Sequence, residues 1–467
     1  HLPEYITLVS LLEKGIATHH SKMLPVFREI VEIFFARGYI KLLFATESVA
    51  IGLNLPVKSC IFTDIYKHDG NSMRILQGHE YVQSSGRAGR LGLDTVGHVI
   101  HLNNLFRNVD HISYKTMMNG KPQKLVSKFK ISYNLLLNLL DIGDNNLATF
   151  ASRSMSTGDI DAQLKELYYK MTTIQSDLDN INNHLMNLRT PRHIIQDYLQ
   201  LQTKPESINY SNKKKKELER AVKSMEDDYK FLKQDVLSYS KVSEKETAIA
   251  NLQKEMDHLN AYFSSGVDRV LDLLREEEFI EDQTTLTLKG RIAAQLRETH
   301  CLVFANLIFH NKLDPLSTIQ LVALFSCFTN ISVQEDVKSY LPKSDDKLVQ
   351  DMVTLITDSY NSCKDTELRR NINTGFDYNI HYDLLNYVEA WYNCEDVESC
   401  KFLLQKIGKE KEIFLGEFVK ALLKINNISC EMEKIAEMIG NIALLSKLKE
   451  IPNKTLKYVV TNQSLYV

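Results

Sequence analysis

Nine apolar residues, Ile160, Leu164, Leu167, Met171, Ile174, Leu178, Ile181, Leu185 and Leu188, step along the chain by four and three without a break. A spacing that averages 3.5 keeps all of them on one side of a helix, and a narrow seam of this kind is stable only against another seam. The same chain supplies one. Leu218, Val222, Met225, Tyr229, Leu232, Val236 and Tyr239 repeat the pattern, and Ile249, Leu252, Met256, Leu259 and Phe263 resume it after a weak patch near Ser243. The simplest geometry is an antiparallel coiled-coil hairpin about 44 Å long, from a rise of about 1.5 Å per residue over 160–188, with Arg189 to Lys216 as its tip. The alternative is a seam that dimerises two chains.

The hairpin divides the rest. At about 100–200 residues per domain, 467 residues make roughly three domains. Residues 1–105 alternate helical and strand-like stretches, the pattern of an α/β domain with a parallel sheet. Pro25 to Arg37 reads as a helix punctuated by its proline and by Gly38, and Ile40–Ala45, Cys60–Thr63 and His98–Leu102 read as strands buried on both faces. Residues 122–140 predict one amphipathic helix through Leu125, Phe129, Leu136 and Leu140. Far downstream come an apolar helix over Val267–Leu274, then Phe279-Ile280, a polar turn at Glu281-Asp282-Gln283, and Leu286 to Gly290. Helix followed by hairpin predicts a winged helix, split here by the stalk. Residues 292–467 read as helical throughout, with stripes at Phe414, Phe418, Ala421, Leu422 and Ile425 and at Leu384, Val388 and Trp391.

The chemistry concentrates in the α/β part. Gln83-Ser-Ser-Gly86-Arg87-Ala-Gly89-Arg90 lies in a segment from His79 that predicts a helix, with Gln83, Arg87 and Arg90 on one face. Each glycine costs a helix interior about 1 kcal/mol relative to alanine, so close approach by a partner must justify it. Two guanidiniums and an amide so placed suit a transferring γ-phosphate. Thr46 ends an apolar strand at the carboxyl edge where open α/β sheets bind ligands, and Gly52 and Asn54 suit a loop against phosphates. The pair His19-His20 lacks a third ligand nearby, so a polar loop near a backbone is expected there rather than a metal.

Bulk properties narrow the partners. Lys+Arg is 56 against Asp+Glu 59, a net charge of −3, so any nucleic-acid surface must be local. The 7 cysteines include no Cys-x-x-Cys pair, which points to a reducing compartment rather than a disulfide framework or zinc site. No apolar run is long enough to span a bilayer. The first residues, His1-Leu-Pro-Glu, carry neither a start Met nor a signal peptide, and the expectation is a chain truncated at its front.

Together, HHSKMLP at 19–25, ATESVAIGLNLP at 45–56 and QSSGRAGRLGLD at 83–94 resemble motifs IV to VI of superfamily 2 DExH helicases. GKPQKLVSKFKISYNLLLNLL at 120–140 and the stretch from Lys289 to Phe328 resemble the superkiller-type, exosome-assisting RNA helicases. The resemblance implies a multidomain α/β plus α fold: a partial second RecA-like domain over 1–106, a winged helix over 107–156 and 265–296, interrupted by an antiparallel coiled-coil stalk over 157–264, and a DSHCT-like helical bundle with a ratchet helix over 297–467. It implies ATP with Mg²⁺, an intracellular setting, and single-stranded RNA or a duplex with a 3′ overhang as substrate, with an exosome-like nuclease as a partner. Gln83, Arg87 and Arg90 then resemble residues that reach ATP phosphates, with Gly52 and Asn54 in the loop that links RNA to nucleotide. Thr46 and His20 face the RNA backbone, and Lys420 and Lys424 stand where relatives use arginine on the ratchet helix, although solvated lysines on a structural helix fit the pattern equally.

The departures are specific. Lys22, Ser84 and Leu91 stand where Gly, Met and a third Arg are common. The tip is too short for the KOW barrel of the exosome-assisting helicases, and Lys213 to Lys216 fit a solvated helix start better than a phosphate contact. No Gly-x-x-x-x-Gly-Lys-[Ser/Thr] loop and no Asp-Glu dipeptide occur, so the chain should hold half an ATP site and be inactive alone. Two rival readings stand beside the RNA helicase: an ATPase-less scaffold that docks RNA or protein partners, and a DNA-repair or spliceosomal helicase of the same superfamily.

Overall fold

The computed structural model describes residues 2–460 apart from 47–56, 69–71, 91, 93, 107, 120–126, 144–145, 186–189, 208–211, 283, 332 and 343. It separates into two compact units, residues 1–125, 132–145 and 271–467 forming one, and 126–131 and 146–270 the other.

The larger unit begins with Pro3–Leu12 (α1), Ile16–His19 (β1), Pro25–Ala36 (α2) and Leu42–Ala45 (β2), whose strands pair in parallel from Ile16↔Leu42 to His19↔Ala45. Pro25 opens α2, and Gly38, at φ 76°, follows its end, a left-handed position that favours glycine. Leu8, Ala17, Val31 and Ile40 form the core here. Ser59–Phe62 (β3), Tyr66–His68 (β4), Met73–Ile75 (β5), Gly78–Ser85 (α3), His98–His101 (β6) and His111–Met118 (α4) follow, with β3 and β6 parallel and β4 and β5 antiparallel. The expected burial on both strand faces is not observed: Phe44 is 54% exposed and Ile61 49%. Among the described residues each parallel pair has two strands only, which lack the neighbouring strands and second helical layer that enclose a parallel sheet.

Tyr133–Asp141 (α5) is shorter than the helix expected over 122–140. Residues 127–132 are not helical. The Ser127 hydroxyl takes the Phe129 N–H, and Ser132 caps α5 by accepting from Leu135 N–H, so serine hydrogen bonds replace the continuing helical ladder. Leu125 lies outside the described residues.

The second unit holds Leu147–Ser152 (α6), Ser156–Leu185 (α7), Arg192–Ser207 (α8), Asn212–Asp228 (α9) and Leu232–Asn260 (α10). Contacts between α7 and α10 run in opposite directions: Leu178 packs with Val242, Lys245 Nζ lies 2.8 Å from Asp177, and Ile174 and Leu252 line one groove. Val242 covers the patch where the pattern weakens near Ser243, and α10 continues through it. Two expectations need correction. Residues 218–229 do not extend the seam against α7; Val222, Met225 and Tyr229 instead surround Ile195 and Tyr198 of α8. The presumed tip therefore contains a helix with its own core, because apolar residues at 195 and 198 need cover that a heptad count does not assign.

Tyr262–Glu276 (α11) starts in the second unit and ends in the larger one, where a tight turn follows in which Asp282 Oδ1 accepts the N–H groups of Thr284 and Thr285, both at 2.7 Å. Among the described residues the expected hairpin is short: the Ile280↔Leu286 bridge is joined by backbone bonds from Glu281 N–H to Thr285 C=O at 3.0 Å and from Thr287 N–H to Phe279 C=O at 3.1 Å. Thr287 then accepts the Gly290 N–H and starts Leu288–Gln295 (α12), which converts the predicted second strand into a helix. Cys301–Phe309 (α13), Thr318–Ser326 (α14), Lys347–Arg370 (α15), Leu385–Asn393 (α16), Val397–Lys411 (α17), Leu415–Ile439 (α18) and Ile442–Thr455 (α19) complete the bundle. It is not helical throughout. Residues 372–382 are extended coil that brings Thr374 and Tyr378 onto the buried Glu367. Both predicted stripes are buried except Phe414, which caps α18 and is 49% exposed. Among the described residues no helix is long and apolar enough to cross a membrane.

Candidate functional site

The glycine-rich segment after α3 is built differently from its expected single helix. Glu80, in the first turn of α3, takes a two-pronged bond from Arg74 at 2.8 and 2.9 Å and another from Lys67, which ties the β4–β5 hairpin to the helix start. The Arg74 bond is the main reason its carboxyl is held down to about 2. α3 stops at Ser85. The next residues turn and then bridge at Ala88 to Val57: Arg87 C=O accepts from Val57 N–H at 3.0 Å and Gly89 N–H donates to Val57 C=O. The glycines are explained by backbone contact. A Cβ on Gly86 would stand 2.8 Å from the Val82 carbonyl oxygen, and Gly89 has φ 94° and packs on the backbone of Gly97. Gln83 is thus exposed on α3, whereas Arg87 and Arg90 follow after the helix has ended, so the predicted shared helical face is absent.

Arg90 is held in place. Its Nε and one terminal nitrogen donate to the Asp94 carboxylate at 2.7 and 2.9 Å, and its own N–H does the same at 3.0 Å. The guanidinium beside Asp94 keeps that carboxyl well below the usual carboxylate range. The fixed Arg90 guanidinium is a donor that fits phosphate oxygens, and Asp94 already neutralises part of its charge. Gly52 and Asn54 lie outside the described residues.

The second group forms around the ends of β1 and β2. Thr46 N–H donates to His19 C=O at 3.2 Å, so Thr46 and the residues after His19 share one edge. His19 is 2% exposed and its Nε2 meets Glu32 at 2.8 Å, a second-layer contact behind that edge. His20 is half-buried; burial, followed by the charges of His19, Lys22 and Arg28, pushes its imidazole below its ordinary value, so it is neutral at pH 7 and able to accept or donate one hydrogen bond. The start of α18 reaches the same edge: Lys420 Nζ donates to Ser21 C=O at 2.9 Å, and the Phe414 ring lies edge-on to His20. Lys424, one turn further, is paired with Glu298. Thr46, His20 and Lys420 are therefore brought together, while Lys424 is engaged by another partner. Sequence reading missed Phe414 as a surface group, since it shares the stripe of the buried Phe418. It also missed Glu298 and Glu417, for which no local signal exists. Of the lysine run, Lys216 is exposed, and the side chains of 213–215 are outside the described residues.

Residues 4–92 match the helicase conserved C-terminal domain and residues 283–462 the DSHCT (NUC185) domain. The chain is 41% identical over 181 residues to the antiviral helicase SKI2 of Saccharomyces cerevisiae, covering 38% of this chain and 14% of that protein. It is 45% identical over 141 residues to the ATP-dependent RNA helicase mtr4 of Schizosaccharomyces pombe, 30% of this chain and 12% of that protein. With the superkiller complex protein 2 of Homo sapiens it shares 43% over 155 residues, 33% and 12% of the two chains. The matched stretch thus spans less than a fifth of each relative's length.

Proposed function

We propose that this chain, which carries the helicase C-terminal and DSHCT domains found in the superkiller-type DExH helicases, supplies the C-terminal part of an ATP-dependent RNA helicase that moves 3′ to 5′ along single-stranded RNA. The observation that carries the reading is the meeting of Thr46, His20 and Lys420 at one strand edge, from two segments that match two different domains. Thr46 and His20 offer hydroxyl, imidazole and backbone groups to a sugar-phosphate chain, while on α18 Lys420 bonds the Ser21 carbonyl beside them and Lys424 is held by Glu298. On the nucleotide side, Arg87, Arg90 and Gln83 hold donors for phosphate oxygens, with Asp94 fixing the Arg90 guanidinium before any ligand arrives. ATP with Mg²⁺ supplies the free energy of phosphoryl transfer; the Mg²⁺ ligands and phosphate loop have no counterpart in this sequence.

The finer architecture belongs to the same proposal. α5, α11 and the Ile280–Leu286 bridge support a reduced winged helix, and the antiparallel α7–α10 contacts support a coiled-coil stalk capped by α8 and α9. An exosome-like nuclease is the partner expected of an RNA-feeding helicase.

The test is binding. A fluorescein-labelled single-stranded RNA should bind the chain more tightly than DNA of the same sequence, and Thr46→Ala with His20→Ala should weaken RNA binding. Equal affinity for DNA would favour the rival reading as a DNA-repair helicase, and no loss in the double variant would remove this edge from the RNA path.

A further inference from the structure

The start of α18 meets residues 20–23 at every position on one of its faces. Gly416 is buried, and a Cβ there would stand 2.3 Å from the Met23 carbonyl oxygen and 2.5 Å from that of Lys22, both backbone atoms that no rotamer change can move aside. One turn on, Lys420 Nζ donates to the Ser21 carbonyl at 2.9 Å. The Lys22 ammonium lies 4.6 Å from the centre of the Phe414 ring and 3.7 Å from Glu417. His20 presents its ring edge-on to the same Phe414, with centres 6.4 Å apart. Residues 414, 416, 417 and 420 recur at helical spacing on one side, and between them they touch four successive residues of the loop. The loop's own backbone bond is a single turn, Met23 N–H to His20 C=O at 3.2 Å.

A helix accepts glycine at a cost that alanine avoids, so close approach explains residue 416 where helix propensity does not. The ammonium of Lys420 is likewise directed at a carbonyl. Hydrogen bonds from a charged donor are about twice as strong as neutral ones, and this one fixes the loop from its solvent side.

We infer that the first two turns of α18 are a clasp that positions loop 20–23, with Gly416 and Lys420 acting on RNA only through that loop. Lys420 is a positioning residue whose charge is used on Ser21 and not on a phosphate. The clasp makes the loop and α18 move as one body, so displacement of the helicase C-terminal domain is transmitted to the bundle at this point. The part concerning RNA rests on the function proposed above; the clasp itself does not.

Two measurements on the whole chain separate these. The first is amide hydrogen exchange. Gly416→Ala should raise exchange several-fold in peptides covering residues 20–24 while those covering 425–435 of α18 stay protected. Lys420→Ala should act in the same direction, and Lys420→Arg, which can still donate to Ser21, should restore protection. Unchanged exchange at 20–24 in Lys420→Ala, an exposed position outside the core, overturns the clasp even if Gly416→Ala proves unstable. The second is affinity for the labelled RNA across salt concentrations. A lysine that neutralises a phosphate contributes about 0.7 to the slope of log K against log salt for a single strand. Lys420→Ala should weaken binding with the slope unchanged; a slope reduced by about 0.7 would make Lys420 a direct phosphate ligand and overturn its positioning role. If the unaltered chain binds no RNA, the proposed function fails, and the exchange data still decide the clasp.

Discussion

Arg90, fixed by the Asp94 carboxylate, is the residue on which the proposed nucleotide site depends most. In a complete helicase that includes this chain, Arg90→Ala should lower kcat by about 10³ with RNA affinity retained, the loss expected of an arginine finger. Near-normal turnover would remove Arg90 from that role. Asp94→Ala should cost less, because the guanidinium survives and only its orientation is freed. A second residue carries a pH signature. His300 is 1% exposed, caps α13 by accepting from Val303 N–H, and is ringed by Tyr133, Tyr360, Phe376 and Tyr378, with Tyr378 also bonded to Glu367. Burial pushes its imidazole down to about 4. The folded state therefore favours neutral His300, and the unfolded chain takes up the extra proton below about pH 6.5. Its contribution is complete above that pH and is lost progressively as pH falls toward 4, about 2 kcal/mol of it by pH 5. Denaturant melts at pH 7.5 and 5 should show a smaller loss for His300→Asn, which keeps a capping acceptor. Equal losses would dissociate His300 from the acid sensitivity.

Among elements, the α7–α10 pair depends on one seam rather than on a compact core. Leu178→Pro, placed where Leu178 packs on Val242, should cost about 3 kcal/mol or more locally and lower the helical circular dichroism. Trp391 is the single tryptophan and reports on the other unit, where it is fully buried and donates to the Thr455 carbonyl at 3.0 Å. Its emission should not shift in Leu178→Pro. A red shift would mean that the two units do not fold independently, and loss of a dimer in ultracentrifugation would assign the seam to a second chain.

For the whole molecule, a net charge of −3 gives no long-range field to gather a nucleic acid, so the proposed RNA affinity has to come from a few local groups. The chain as it stands should release no phosphate from ATP above background, with or without RNA, since it has neither a phosphate loop nor a DExH box. RNA-stimulated turnover by the purified chain would overturn the proposed division of the ATP site.

Much of this was readable in order along the chain. The bounds of α2 follow from Pro25 and Gly38, and the long helices α7 and α10 follow from their heptads, because helical period and capping are set by neighbours within a turn or two. The motif residues were also legible as residue types. Local spacing failed where a competing local bond or a distant surface intervened: Ser132 and Thr287 began helices that periodicity placed elsewhere, and after α3 a turn with a single bridge from Ala88 to Val57 replaced the predicted helical face. Residues 218–229 carried a correct seam but met α8 rather than α7, since a heptad specifies a stripe and leaves its partner open. Lys420 and Ser21 are 399 residues apart. The sequence by itself determined which residues are apolar, charged or free to turn; only the tertiary structure decided which carbonyl that lysine would meet, because a contact across such a separation depends on the packing of every element between.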